Sequence, residues 1–108
     1  MTDKEYFEYI KDMLSQLDGV SFKPMMGEYI LYYNGRIAGG LYDNTLLVKP
    51  VPSALRLLPD ARRELPYEGA KPMLLVENTD SGEFLCELLR AMYDELPEPK
   101  KQKNNKDK

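Results

Sequence analysis

The dipeptide Asn34-Gly35 is the feature that most constrains how this chain can fold. It separates two apolar and aromatic runs, Glu28 to Tyr33 and Arg36 to Tyr42. Asn-Gly favours the left-handed backbone of a type I′ turn and is the strongest short-range signal for a two-residue β-hairpin. Asp43-Asn44 predicts a second tight turn into a strand from Thr45 to Lys49. We therefore predict a three-stranded antiparallel meander.

Amphipathic helices are predicted at both ends of the chain. The first would begin at a capping box formed by Thr2 and Glu5, and the last, starting at Asp80, carries apolar residues at helical spacing as far as Leu96. The intervening elements would be a short strand at 20–25, a short helix from residue 52, a loop at 59–69 with a helical turn at 61–64, and a buried strand at 73–77.

This order of elements predicts the fold class. The strands bunch together rather than alternating with long helices, which favours α+β over a doubly wound sheet. We expect an antiparallel sheet, made of the three-strand meander plus one or two further strands, with the N- and C-terminal helices packed on one face.

Alternation along the strands predicts which side chains the helices cover. If both turns contain two residues, the covered face is wholly apolar or aromatic: Ile30, Tyr32, Ile37, Gly39, Leu41, Leu46 and Val48. The opposite face would carry Tyr29, Tyr33, Arg36 and Tyr42 outward. Aromatic residues and arginine are enriched in interface cores, so these four residues form the candidate interaction surface. The alternative is that they reflect only the β propensity of a solvent-facing strand.

The lack of histidine and the single cysteine limit which catalytic and metal-binding sites the chain can form. The 108 residues contain no histidine and a single cysteine, Cys86. Ser-His-Asp triads, Cys-His dyads and the commonest zinc ligand are therefore excluded. We expect a non-enzymatic protein with no catalytic residues, no cofactor and no metal.

The expected location follows from the single cysteine and the lack of a long apolar run. A lone cysteine fits a reducing compartment, and no apolar run approaches the roughly 20 residues of a membrane span. We therefore expect a cytoplasmic protein without membrane association.

Charge is unevenly distributed along the chain. The net charge of −3 combines +3 in residues 96–108 with −6 in residues 1–95. Residues 1–96 are predicted to form one domain, and residues 97–108 a disordered tail rich in lysine and asparagine. We do not expect the acidic folded body to bind nucleic acid, because duplex binding needs clustered cations. The alternative left open is weak nucleic-acid binding through the basic tail with Arg62 and Arg63.

Met25-Met26-Gly27 permits two interpretations. Methionines can supply an adaptable contact surface, or the glycine can allow a bend while the methionines fill gaps in the core. We favour the second interpretation.

The placed strands resemble a known family. MMGEYILYYNGRIAGGLYDNTLLVKP, followed by YEGAKPMLLVE and an amphipathic helix, resembles the TfoX N-terminal domain family, the Sxy-like competence regulators. The matching positions are Met26-Gly27, Tyr29, Tyr32, Asn34-Gly35, Gly40, Asp43, Leu46, Lys49, Tyr67 and Lys71-Pro72-Met73.

The resemblance implies a secretion-chaperone-like α+β fold and a cytoplasmic bacterial protein. It also implies a non-enzymatic role in transcriptional control of DNA uptake, which we expect to act through a protein partner. Full-length regulators of this family carry a second, C-terminal domain, so this chain would be a stand-alone N-terminal domain. Self-association as a homodimer, through an open sheet edge or the tyrosine-rich face, is a further expectation.

Overall fold

The computed structural model describes residues 1–98, in which six strands and three helices form. The helices are α1 (Lys4–Met13), α2 (Pro52–Leu57) and α3 (Gly82–Met92), and a 3₁₀ turn (Tyr93–Glu95) follows α3. The strands are β1 (Val20–Met25), β2 (Glu28–Tyr33), β3 (Arg36–Tyr42), β4 (Thr45–Val48), β5 (Arg63–Glu64) and β6 (Met73–Val76). The predicted disordered tail, apart from Pro97 and Glu98, lies outside the described residues.

All six strands belong to one antiparallel sheet with the order β1-β2-β3-β4-β6-β5. The predicted α+β class and the β2-β3-β4 meander are confirmed. The sheet has three strands besides the meander, where one or two were predicted, and β5 is the additional one. The helical turn predicted at 61–64 is wrong, because Arg63 and Glu64 pair with β6 instead. The Leu75 N–H also donates to the Arg62 carbonyl at 2.8 Å. Extended backbone here satisfies polar groups of β6 that would otherwise lack partners.

Three hairpins share one kind of turn. Met26-Gly27, Asn34-Gly35 and Asp43-Asn44 each have positive φ at both central residues, between 50° and 86°. This is the backbone of a type I′ turn, whose twist matches that of paired strands. The two predicted turns are confirmed. Met26-Gly27 forms a third, so the bend interpretation of this stretch holds for its glycine. The expected filling of a core gap is wrong for Met26, which is 98% exposed.

The helices cover one face of the sheet, as predicted. Their apolar side chains pack against alternate residues of the strands and form the main core. The contributing residues include Ile10 of α1 and Leu14 directly after it, Leu85, Leu88, Leu89 and Met92 of α3, and Leu41, Leu46, Val48, Leu74 and Val76 of the sheet. Among residues 1–98, no helix is both long and apolar enough to cross a bilayer.

A β-bulge at Ala38 reverses part of the predicted face assignment. Leu31 pairs with Gly39 and Tyr32 with Ile37, which leaves Ala38 as an extra residue in β3. Side chains alternate with a period of two, so one inserted residue exchanges the faces on either side of it. Ala38 is buried under the helices, whereas Ile37 faces the other side.

The faces predicted for β2 and for the start of β3 are therefore wrong. Leu31 and Tyr33 lie in the main core, and Ile30 and Ile37 line the opposite, open face. Beyond the bulge the prediction is correct, since Leu41, Leu46 and Val48 face the helices.

The predicted helix caps are also wrong in detail. The Thr2 hydroxyl donates to Glu28 Oε1 at 2.7 Å instead of capping α1, which begins after Asp3. The N-cap of α3 is Ser81, whose hydroxyl accepts from the Phe84 N–H at 3.1 Å. Thr2 is unavailable as a cap because it ties the N-terminal segment to β2.

Candidate functional site: a groove on the open sheet face

The four residues predicted to form an outward surface do not share a face. Tyr33 is only 8% exposed and belongs to the main core, where its ring meets Tyr93 edge-on at 5.6 Å. Tyr29 stacks on Phe7 of α1, with ring centroids 4.0 Å apart. Tyr42 lies on the opposite face and is itself buried. The tyrosine-rich outward face predicted from sequence is therefore not formed, and the bulge at Ala38 is the reason.

Arg36 faces the helices and makes structural contacts. Its Nη1 donates to the carbonyl oxygens of Tyr93 and Leu96 at 3.1 and 3.2 Å, and its guanidinium lies 4.3 Å from the centroid of the Tyr93 ring. Arginine combines planar donors with stacking on aromatic rings. Arg36 thereby holds the end of the last helical segment against the sheet.

The open face of the sheet carries an apolar groove of about 550 Å³. The strands contribute Met25, Ile30, Ile37, Gly39, Tyr42 and Met73. The connecting segments contribute Lys49, Pro50, Val51, Pro66, Tyr67, Ala70, Lys71 and Pro72, and the end of the 3₁₀ turn and the residues after it contribute Glu95 and Pro97. A volume of about 300–1,000 Å³ with mainly apolar lining is typical of binding sites. We take this groove as the candidate functional site.

Tyr67 joins the connecting segment at 65–72 to the open face. Its ring lies 6.4 Å from that of Tyr42, and both residues line the groove. Tyr42 in turn belongs to a small second core with Leu47 and Leu75. Burial raises the pKa of the Tyr42 hydroxyl, and nearby Tyr67, Glu28 and Tyr32 add to the effect. This cluster supports one side of the groove.

Gly40 makes the position of Tyr42 possible. A Cβ at Gly40 would lie 2.6 Å from a carbon of the Tyr42 ring and 2.6 Å from the Tyr29 carbonyl oxygen. No side chain fits there, so the ring of Tyr42 can lie across the strand. This close approach explains the glycine in the middle of β3.

The charged side chains that line the groove differ in whether they already have bonding partners. Both carboxylate oxygens of Glu95 are engaged, accepting from the Ser53 N–H and the Ser53 hydroxyl at 2.8 Å each. Lys49 and Lys71 also line the groove, and within residues 1–98 neither ammonium forms an ion pair. The groove therefore presents apolar surface with two lysines against one carboxylate, which leaves a surplus of positive charge.

Sequence reasoning missed this groove because its sides come from distant parts of the chain. Residues 59–69 were predicted as a loop with a helical turn at 61–64. The available signal was the concentration of apolar and proline residues at 66–72, namely Pro66, Tyr67, Ala70 and Pro72, directly before a buried strand. Such residues in a connecting segment indicate that the segment packs on something.

The remaining polar clusters are structural. Glu28 Oε1 accepts from the Thr2 hydroxyl at 2.7 Å and from the Asp43 N–H at 3.1 Å, which links the N-terminal segment to two turns. Cys86 is buried in α3. Within residues 1–98, no group of three or more potential ligands could hold a metal ion. The groove therefore offers shape, apolar contact and charge, which are the requirements of recognition.

Comparisons with known proteins place the chain among relatives. No family model and no solved structure matches it. The chain is similar to the uncharacterized 12.7 kDa protein in the trpE 5′ region of Spirochaeta aurantia, with 30% identity over 103 residues that cover 94% of this chain and 90% of the relative. At this identity and coverage, the chain belongs to the same protein family as the Spirochaeta aurantia protein.

Proposed function

We propose that this protein is a non-enzymatic interaction module that binds a segment of a partner protein in the groove on the open sheet face. The observation that carries the proposal is apolar surface left uncovered. Ile37 is 41% exposed and Tyr67 is 57% exposed, and both line the groove. Exposed apolar patches on folded proteins commonly mark binding sites.

We further propose that the module is of the TfoX N-terminal type. Several positions that carry the resemblance line the groove, namely Lys49, Tyr67 and Lys71-Pro72-Met73. On this proposal the protein acts in the bacterial cytoplasm and regulates transcription of competence functions through its partner.

A homodimer built on the open sheet edge is a weaker proposal. β1 forms one edge and contains Lys23 and Pro24, both exposed, and β5, only two residues long, forms the other. Lysine and proline on an edge strand are common protections against pairing with another strand. We therefore assign docking to the open face and not to the edge.

Nucleic-acid binding is the competing proposal, and within residues 1–98 no described feature favours it over groove docking. Arg62 lies 4.0 Å from Glu77, which offsets its charge, and most of the lysine-rich tail lies outside residues 1–98. Retention of the intact protein on DNA at low salt, falling steeply as salt is added, would favour this proposal over ours.

Two matched substitutions test the groove. Ile37→Glu places a charge in the groove, and Leu55→Glu places the same charge on α2 at a nearly equal exposure of 39%. We expect affinity capture to lose its partner with Ile37→Glu and to retain it with Leu55→Glu, provided that both variants unfold cooperatively. Equal capture by both variants, or a partner lost in both, would contradict docking in the groove.

A further inference from the structure

We propose that the bound segment is an extended peptide in which apolar side chains are flanked by carboxylates. This inference rests on the proposed function, since it takes the groove as the docking surface. It adds the chemical class of the partner segment, which the apolar character of the groove alone does not specify.

Charge is the first reason. Residues 1–95 carry a net charge of −6, so most of the protein surface repels acidic segments. Lys49 and Lys71 reverse this sign locally at the groove, where neither has a carboxylate partner within residues 1–98. An acidic segment is therefore favoured at the groove and disfavoured elsewhere on the protein.

The state of Glu95 strengthens this reasoning. It is the carboxylate among the residues that line the groove, and both of its oxygens accept hydrogen bonds from Ser53. It is therefore held toward the start of α2 and does not neutralise the lysines through an ion pair. A carboxylate from the partner would supply the missing countercharge.

The lining of the groove favours an extended segment held by its side chains. Four lining residues are prolines, Pro50, Pro66, Pro72 and Pro97. Proline has no backbone N–H to donate, and its ring restricts the backbone. The groove rim is thus stiff and poor in main-chain donors, so apolar contacts and the two ammonium groups must provide recognition. Lysine stems also add apolar surface beneath their charged ends.

Selection from a random peptide library displayed on phage, with the full chain as bait, tests the inference. Recovered peptides are synthesised with a tryptophan, which the protein lacks, so that peptide fluorescence reports binding. Each peptide is compared with its counterpart in which amides replace the carboxylates. We expect enrichment of acidic and apolar residues, and weaker binding of the amide counterparts.

Matched lysine variants test whether the lysines of the groove bind the carboxylates of the peptide. Lys49→Gln and Lys71→Gln should each weaken the selected peptides about two- to fivefold, the range expected for exposed ion pairs. Lys4→Gln, which removes an exposed lysine from α1 on the other side of the sheet, should have no effect. Equal effects of all three substitutions, or none, would overturn the inference.

Other outcomes separate this inference from the proposed function. Peptides that lose binding to Ile37→Glu and to Tyr67→Ser, but bind equally well as amides, would overturn the acidic preference and leave groove docking intact. Failure to recover any peptide, or recovery of peptides that bind both groove variants normally, would contradict groove docking itself. Using two variants guards against misfolding of one, since Tyr67 lies in an exposed connecting segment.

Discussion

The ring of Tyr67 packs against the ring of Tyr42 with their centroids 6.4 Å apart, and this contact joins the 65–72 segment to the open face of the sheet. One partner is buried and the other is 57% exposed. The segment therefore depends on a single aromatic contact for part of its position, and the groove depends on the segment.

Replacing Tyr67 should loosen the segment without unfolding the sheet. Aromatic pairs contribute about 0.5–1.5 kcal/mol, so we expect Tyr67→Ala to lower the free energy of unfolding by about 1 kcal/mol. Limited proteolysis near Gly69 should become faster. Tyr67→Phe keeps the ring and serves as the control. Identical cleavage of the alanine variant and the native protein would show that the contact does not hold the segment.

Because the two faces of β2 are exchanged relative to the prediction, we expect alanine substitutions of two neighbouring tyrosines to destabilise the protein unequally. Tyr33 is in the main core, whereas Tyr32 pairs with Ile37 and so lies on the open face. We expect Tyr33→Ala to lower the free energy of unfolding in urea by about 3 kcal/mol or more, because a large buried side chain is lost. Tyr32→Ala should cost about 1 kcal/mol. A larger loss of unfolding free energy for Tyr32→Ala than for Tyr33→Ala would contradict this assignment and favour the faces predicted without the bulge.

Met26 predicts a stabilising substitution. It is 98% exposed and has a φ of 50°, a left-handed conformation that costs an ordinary side chain roughly 1–2 kcal/mol. Asparagine tolerates this conformation at the first position of a type I′ turn. Met26→Asn should therefore raise the free energy of unfolding by about 1 kcal/mol. Met26→Leu retains the strain and should give no gain; a gain of equal size for leucine would refute this explanation.

Glu28 predicts acid sensitivity. Burial alone would raise its pKa, but hydrogen bonds from the Thr2 hydroxyl and the Asp43 N–H, with the N-terminal ammonium, hold the pKa below its usual 4.5. A carboxyl whose folded pKa is depressed stabilises the protein above its unfolded pKa, and this stability is lost as the pH falls through the folded pKa. In urea titrations below pH 4.5, native protein should lose stability more steeply than Glu28→Gln. Parallel pH profiles would contradict this.

Turns were predictable from sequence because their signals are local. Asn34-Gly35 and Asp43-Asn44 specify backbone conformation within two residues. In α1 and α3, apolar residues at helical spacing specify which face of each helix is buried. The bulge at Ala38 was not predicted because the Asn34-Gly35 turn fixes the register only near the turn, and packing of the core decides whether β3 carries an extra residue further along. The glycines at 39 and 40 were its available signal, since glycine within a strand often marks a bulge.

Local sequence patterns could not predict the groove, because it forms from residues that are distant in the sequence. Ile30 and Ile37 line it only because the bulge turns them away from the helices, and its far side comes from residues 66–72. An exchange of faces at one residue therefore moved the candidate surface from Tyr29, Tyr33 and Arg36 to the isoleucines and Tyr67. Tyr42 alone among the predicted surface residues lines the groove.

Site-specific photo-crosslinking in cells of the source organism tests groove docking most directly. A photoreactive phenylalanine analogue replaces Tyr67 in one variant and Leu55, on α2 outside the groove, in the other. We expect a discrete crosslinked protein from position 67 that is absent from position 55. No crosslink at 67, or the same crosslinked proteins from both positions, would contradict binding of a partner in the groove.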